Sequence, residues 1–105
     1  MKTQTIFLEI KDAIMKIIPA CDVLLFGSNA RGDSDKHSDI DLLLITKNQF
    51  SSKERINIAA EVNRTLVQQF HLPFDILIRS KSEVEIMKTL PGHFVKRALQ
   101  EGYLI

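Results

Sequence analysis

Apolar residues in the first part of the chain recur every three or four positions, the spacing of one face of a helix. The repeating positions are Ile6, Ile10, Ile14 and Ile17. This pattern predicts an amphipathic helix with Thr3 or Thr5 as its N-cap. The helix is expected to end before Pro19, because the residue preceding a proline avoids the helical conformation.

Three apolar runs, over residues 23–26, 39–46 and 74–78, are too short for ordinary helices and are predicted to be strands. The second run is almost wholly apolar after Asp41, which is typical of a central strand covered on both faces. In the third run, Asp75 is one polar residue among apolar ones. Gly27 and Ser28 predict a turn after the first strand, followed by a helical turn over 29–32 and a loop over 33–38.

Two Ser-x-x-Glu patterns predict helix starts, because each serine and glutamate can cap the other's backbone N–H. Ser51 and Glu54 precede a helical stripe of apolar residues that extends to residue 70. The pattern at residues 80–83 opens a short helix to about residue 89. After a break at residues 91–92, a last helix is predicted over 93–101, with Gly102 as its stop.

Helices and strands alternate along the chain, which predicts an α/β (α+β) fold with a small mixed β-sheet flanked by helices. The 105 residues, 45% of them hydrophobic, suit one domain spanning 1–105. The single cysteine, Cys21, excludes an intramolecular disulfide and is interpreted as a small residue at a strand start. No apolar run is long enough to cross a membrane, so a cytoplasmic protein is expected.

Asp39 and Asp41 are the strongest candidates for chemistry. Residues two apart in a strand point to the same face, so these two carboxylates are expected side by side. They are hard oxygen ligands of the kind that Mg²⁺ prefers. Asp75 would add a third carboxylate, and burying all three would be unfavourable unless cations neutralise them. Two metal ions in such a site can hold the attacking and leaving oxygens of a displacement at phosphorus.

Gly27 and Ser28 suit the binding of phosphate groups in such a reaction. A glycine lets the backbone approach a phosphate closely, and Ser28 adds a hydroxyl and an N–H at the start of a helical turn. Taken alone, a Gly-Ser turn is a weak signal. Its value comes from its position ahead of the aspartate pair.

Together these residues resemble a known signature. Gly27-Ser28, ten intervening residues and Asp39-Ile40-Asp41 are similar to the motif of the polymerase-β-type nucleotidyltransferase superfamily. The fuller strings Gly-Ser-Asn-Ala-Arg-Gly-Asp and Ser-Asp-Ile-Asp-Leu resemble its minimal nucleotidyltransferase (MNT) branch. Asp75 matches the third carboxylate of the superfamily, and residues 98–105 resemble the end of such domains.

The resemblance implies a nucleotidyltransferase fold and a role for each matching position. Gly27 and Ser28 would hold the triphosphate of ATP, and Arg31 would contact phosphate or brace the loop. Asp39 and Asp41 would bind Mg²⁺. Asp75 would complete a second metal site and help to deprotonate the attacking hydroxyl. The implied reaction transfers a nucleoside monophosphate and releases pyrophosphate.

Stand-alone MNT proteins are often antitoxins of HEPN-type toxins. By this resemblance, the protein would transfer AMP in trans to a tyrosine hydroxyl of a partner HEPN toxin. Two alternatives stay open at this point: an antitoxin that neutralises by binding alone, and a transferase acting on a small molecule. A nucleic-acid-binding module is disfavoured by the net charge of +1 and the few aromatic residues. Oligomerisation is left open.

Overall fold

The computed structural model describes residues 2–32 and 38–105, and in α1 it describes side chains from Thr5 onward. The predicted loop over 33–38, apart from Ser38, lies outside the described residues. The helices are α1 (Lys2–Ile17), α2 (Ser28–Arg31), α3 (Ser52–Phe70), α4 (Lys81–Met87) and α5 (Phe94–Glu101). The strands are β1 (Asp22–Phe26), β2 (Ile40–Thr46), β3 (Phe74–Ser80) and β4 (Tyr103–Leu104).

The strands form one mixed sheet in the order β3-β2-β1-β4. Strand β2 is central: it runs antiparallel to β1 and parallel to β3. The parallel pair is joined through α3, as parallel neighbours require a crossover. This arrangement confirms the predicted mixed sheet with flanking helices.

Each face of the sheet is covered by its own hydrophobic cluster. Alternate residues of β2, including Leu42 and Leu44, pack with α1 and α3 on one face. Leu43 and Ile45 pack with α4 and α5 on the other face. Residues 42–44 have no exposed surface, which confirms that β2 is a central strand covered on both sides.

Both predicted capping boxes are present. The hydroxyl of Ser51 accepts the Glu54 N–H while the Glu54 carboxylate accepts the Ser51 N–H, and Ser80 and Glu83 repeat the arrangement. Helix α5 begins one residue later than predicted, because His93 is its N-cap and accepts the Val95 N–H. No described helix is both long enough and apolar enough to span a membrane.

Other details also differ from the predictions. Helix α1 begins at Lys2, so Thr3 and Thr5 lie inside it and the predicted N-cap is wrong. Asp39 lies one residue before β2, and β3 continues to Ser80. Strand β4 was not predicted, because two residues form no periodic pattern; they pair with Leu24 and Leu25 of β1.

Cys21 is buried immediately before β1, as predicted for a small residue at a strand start. Burial raises the pKa of its thiol above the ordinary value. The reactive thiolate is therefore disfavoured at neutral pH. This environment supports a packing role for Cys21 and gives no support to a nucleophile.

Truncating the centre of β2 tests this core. Leu44→Ala is expected to lower the free energy of unfolding by about 2–5 kcal/mol, since it removes a fully buried side chain and leaves a cavity. Urea denaturation followed by circular dichroism would measure the change. Leu8→Ala is the matched control, because Leu8 is 60% exposed on α1. Equal losses in the two variants would contradict the assignment of β2 as the core strand.

Candidate functional site

The register of the sheet determines the position of Asp41. On one side of β2, Asp41 is the partner of Phe26, the last residue of β1. On the other side it is the partner of Asp75 in the parallel ladder. Two of the predicted carboxylates therefore lie on adjacent strands at the same level, and the turn that follows β1 lies beside them.

Gly27 forms that turn and packs directly against Asp41. Its φ is +74°, a left-handed conformation that glycine adopts without strain. A Cβ added at this position would collide with the Asp41 carboxylate. The carbonyl of Gly27 accepts the N–H groups of Ala30 and Arg31, which winds α2 immediately after the turn. Glycine is thus required both by backbone conformation and by the close approach of a carboxylate.

Side-chain amides bind the backbone at Asp39 and beside Asp75. The Asn29 Nδ2 on α2 donates to the backbone carbonyl of Asp39 at 2.9 Å. On α3, the Asn63 Nδ2 donates to the carbonyl of Phe74, next to Asp75, also at 2.9 Å. Neither asparagine was singled out from the sequence, because what an asparagine side chain binds depends on tertiary contacts.

The three aspartates differ in their burial. Asp39 and Asp75 are exposed, whereas Asp41 is partly buried. Asp39 and Asp75 avoid burial because Asp39 precedes the strand and β3 is at the edge of the sheet. The pKa of Asp41 is raised, first by burial and then by repulsion from Asp75 and Asp39, while Arg31 opposes the shift.

The chemistry of this donor set fits Mg²⁺. Three carboxylates at one edge of the sheet supply hard oxygen ligands, and the repulsion felt by Asp41 is what a divalent cation would relieve. Within residues 2–32 and 38–105, no three acidic, histidine or cysteine side chains are already gathered into a metal-binding group. The carboxylates are thus neighbours whose side chains would have to turn towards a bound ion.

A glutamate that the sequence did not single out completes the site. The Oε1 of Glu101, at the end of α5, accepts the Gly27 N–H at 3.2 Å and the Arg31 Nη1 at 3.1 Å. Its carboxylate also adds to the repulsion on Asp41. Arg31 is therefore placed beside Gly27 through an ion pair with a residue 70 positions away.

These groups surround an open cavity of about 410 Å³ between α2, β2 and α5. Its lining includes the predicted residues Gly27, Ser28, Arg31 and Asp41. It also includes residues from α5 and the segment before it: Gly92, Phe94, Arg97, Ala98 and Glu101. Four of these occur at i, i+3, i+4 and i+7, so the sequence shows that they share a helix face. The residues adjacent in sequence do not show which part of the protein this helix face lies against.

A family model and a named relative each match most of this chain. The family model described as "Polymerase beta, Nucleotidyltransferase" matches residues 9–105. A protein of Methanocaldococcus jannaschii named "Putative protein adenylyltransferase" is 38% identical over 80 residues, which cover 76% of this chain and 73% of that protein.

Solved structures share the fold. A toxin–antitoxin crystal structure with AMP-PNP superposes with a TM-score of 0.65 at 18% identity, covering 91% of this chain and 68% of that one. A structure of the tri-AMPylated HEPN toxin of Shewanella oneidensis in complex with MNT antitoxin gives a TM-score of 0.52 at 14% identity, covering 91% and 65%. At these identities the similarity establishes the fold alone.

The contact between Gly27 and Asp41 can be tested with two matched substitutions. Gly27→Ala and Gly32→Ala both place a Cβ at positive φ, but among the described residues only the first meets a neighbouring side chain, since none of them lies within 4 Å of a Cβ on Gly32. We expect Gly32→Ala to destabilise by about 1 kcal/mol and Gly27→Ala by roughly 2–4 kcal/mol. Chemical denaturation measures both, and equal losses would contradict the close packing.

Proposed function

Because the chain belongs to the polymerase-β nucleotidyltransferase family, we propose that it transfers AMP from ATP to a hydroxyl group of a partner protein in a magnesium-dependent reaction. One observation carries this proposal. The Asp41 carboxylate lies against the Gly27 backbone and faces the same cavity as the candidate phosphate ligands Ser28 and Arg31, while Asp75 is level with it on the neighbouring strand.

The residues of the site would bind either metal ions or phosphate groups. Asp39 and Asp41 would hold Mg²⁺, with Asp75 completing the ligand set for a second ion. The Gly27 N–H, the Ser28 hydroxyl and Arg31 would hold the phosphates, because N–H groups and a guanidinium complement phosphate oxygens. Bound Mg²⁺ would neutralise the charge that develops on the phosphates.

The proposed step is a displacement at the α-phosphorus of ATP. A new bond forms between the acceptor oxygen and the α-phosphorus, while the bond to the β-phosphate oxygen breaks and pyrophosphate leaves. The acceptor's proton passes to a carboxylate, for which Asp75 is the candidate because it is exposed at the edge of the sheet. The partner protein then carries AMP on its hydroxyl oxygen, and free pyrophosphate is the second product.

The acceptor we propose is a tyrosine hydroxyl of a HEPN-type toxin, which would make the protein an antitoxin. The name of the Methanocaldococcus jannaschii relative supports transfer to protein. The matching of this fold to MNT antitoxin in complex with a modified HEPN toxin supports the partner. ATP and such a partner would meet in the cytoplasm.

Neutralisation by binding alone is the second candidate. A second hollow of about 390 Å³ is lined by apolar side chains of α1 and the C-terminal strand, Phe7, Leu8 and residues 103–105. Leu8 and Leu104 are each about 60% exposed. Such a surface favours contact with another protein and does not depend on the carboxylates.

The transferase proposal predicts that Asp41→Asn abolishes labelling of the partner. The chain would be incubated with a HEPN-type toxin, Mg²⁺ and ATP labelled on the α-phosphate. The amide is expected to lower labelling by at least about 100-fold, because a neutral ligand binds Mg²⁺ poorly. Removing Mg²⁺ with EDTA is expected to have the same effect.

Asp22→Asn is the matched control for this experiment. Asp22 is an exposed aspartate at the opposite end of β1, outside the cavity, and the variant is expected to label the partner normally. Labelling that persists in Asp41→Asn would overturn the proposed mechanism. So would the absence of any label with the unmodified chain, provided that a known transferase works in the same assay.

A growth assay separates the two candidates. If AMP transfer is the neutralising event, Asp41→Asn is expected to lose protection of cells that express the partner while still binding it in a pull-down. Full protection by a variant that no longer labels the partner would favour neutralisation by binding alone. Asp22→Asn again serves as the control and is expected to protect.

A further inference from the structure

The Glu101 carboxylate occupies the position where the proposed function places phosphate. A single oxygen, Oε1, accepts both the Gly27 N–H and the Arg31 guanidinium. These are two of the groups that would bind the phosphates of ATP. A carboxylate and a phosphate oxygen are both anionic acceptors, so they compete for the same donors.

We infer that Glu101 is an internal competitor of the phosphates, which must displace its carboxylate from Gly27 and Arg31 in order to bind. The inference rests on the proposed function, since it concerns how the same site takes up its nucleotide. It adds a residue from α5 to the set that determines nucleotide affinity.

The charges favour displacement over shared occupancy. Glu101 already faces Arg31 and acts electrostatically on Asp41. If phosphate took both donors while Glu101 stayed in place, its carboxylate would face a second anion without a compensating hydrogen bond. Two like charges at contact distance in a partly buried site repel strongly. Glu101 would therefore leave as phosphate enters.

The structure allows Glu101 to leave by side-chain rotation alone. Its side chain is 22% exposed and lies on the wall of an open cavity, so it can turn towards solvent. The backbone beside it is held firmly, because the Gly102 N–H donates to the Ala98 carbonyl at 2.8 Å and a Cβ on Gly102 would collide with backbone carbonyls. Helix α5 and strand β4 need not move.

Glu101→Gln tests the competition. The amide keeps an oxygen that can accept the Gly27 N–H but removes the negative charge. We expect the variant to bind ATP with Mg²⁺, and likewise pyrophosphate, about three- to tenfold more tightly than the unmodified chain. Isothermal titration calorimetry would measure both ligands. Glu61→Gln, a change of the same charge at an exposed position on α3, is the control and is expected to leave affinity unchanged.

Weaker binding of ATP and pyrophosphate by the Glu101 variants would overturn the inference. If Glu101 served to brace Arg31 for phosphate, Glu101→Gln and Glu101→Ala would both weaken binding, and an unchanged affinity would equally count against competition. Binding of both ligands by the unmodified chain without tightening in the variants would refute this inference and leave the proposed function standing. Binding of neither ligand by any of these proteins would refute both.

A measurement on the unmodified chain tests the same inference without depending on whether a variant folds. The carboxyl carbon of Glu101 can be followed by NMR as pyrophosphate and Mg²⁺ are added. Displacement predicts a change in its chemical shift together with that of the Gly27 amide. A Glu101 signal that does not move while pyrophosphate binds would overturn the inference.

Discussion

The hydrogen-bonded ladders on the two sides of β2 are the constraint on which the site depends. The antiparallel ladder pairs Asp41 with Phe26, and the parallel ladder pairs it with Asp75. A slip of one residue on either side would turn Asp41 to the opposite face and place it in the apolar cluster beneath α1 and α3. Packing on both faces of β2 resists such a slip, because it would expose apolar residues and bury charged ones.

The same ladders explain why an unfavourable concentration of negative charge is kept in one place. Asp41 is partly buried, Asp39, Asp75 and Glu101 repel its charge, and Arg31 offsets only part of that repulsion. Selection for stability alone would not favour this concentration of negative charge. Repulsion between neighbouring carboxylates is typical of sites that bind a charged ligand, and it is relieved when cations bind. The exposure of Asp39 and Asp75 leaves them free to turn towards those ions.

Helix α5 connects the site to the end of the chain. One of its faces lines the cavity, while Val95 packs on the sheet with Leu24 and Leu43, and Ala98 belongs to both surfaces. The helix is therefore both a part of the core and a wall of the site. Arg79 adds to this link from β3, with its guanidinium over the Phe94 ring at 5.3 Å. The position of Glu101 is consequently set by packing and not by a flexible tail.

Features that depend on adjacent residues are predictable from the amino-acid sequence. The capping boxes, the central apolar strand and the Gly27-Ser28 motif were predicted, because each is encoded within a few adjacent positions. The N-cap of α1 was wrong because threonine is tolerated inside a helix whose apolar face is packed, and β4 was missed because it exists only through pairing with β1. The hydrogen bonds of Glu101 with Gly27 and Arg31, which lie 74 and 70 positions earlier in the chain, form only in the folded protein. Contacts over such distances arise from the packing of α5 on the sheet, and no pattern of adjacent residues encodes them.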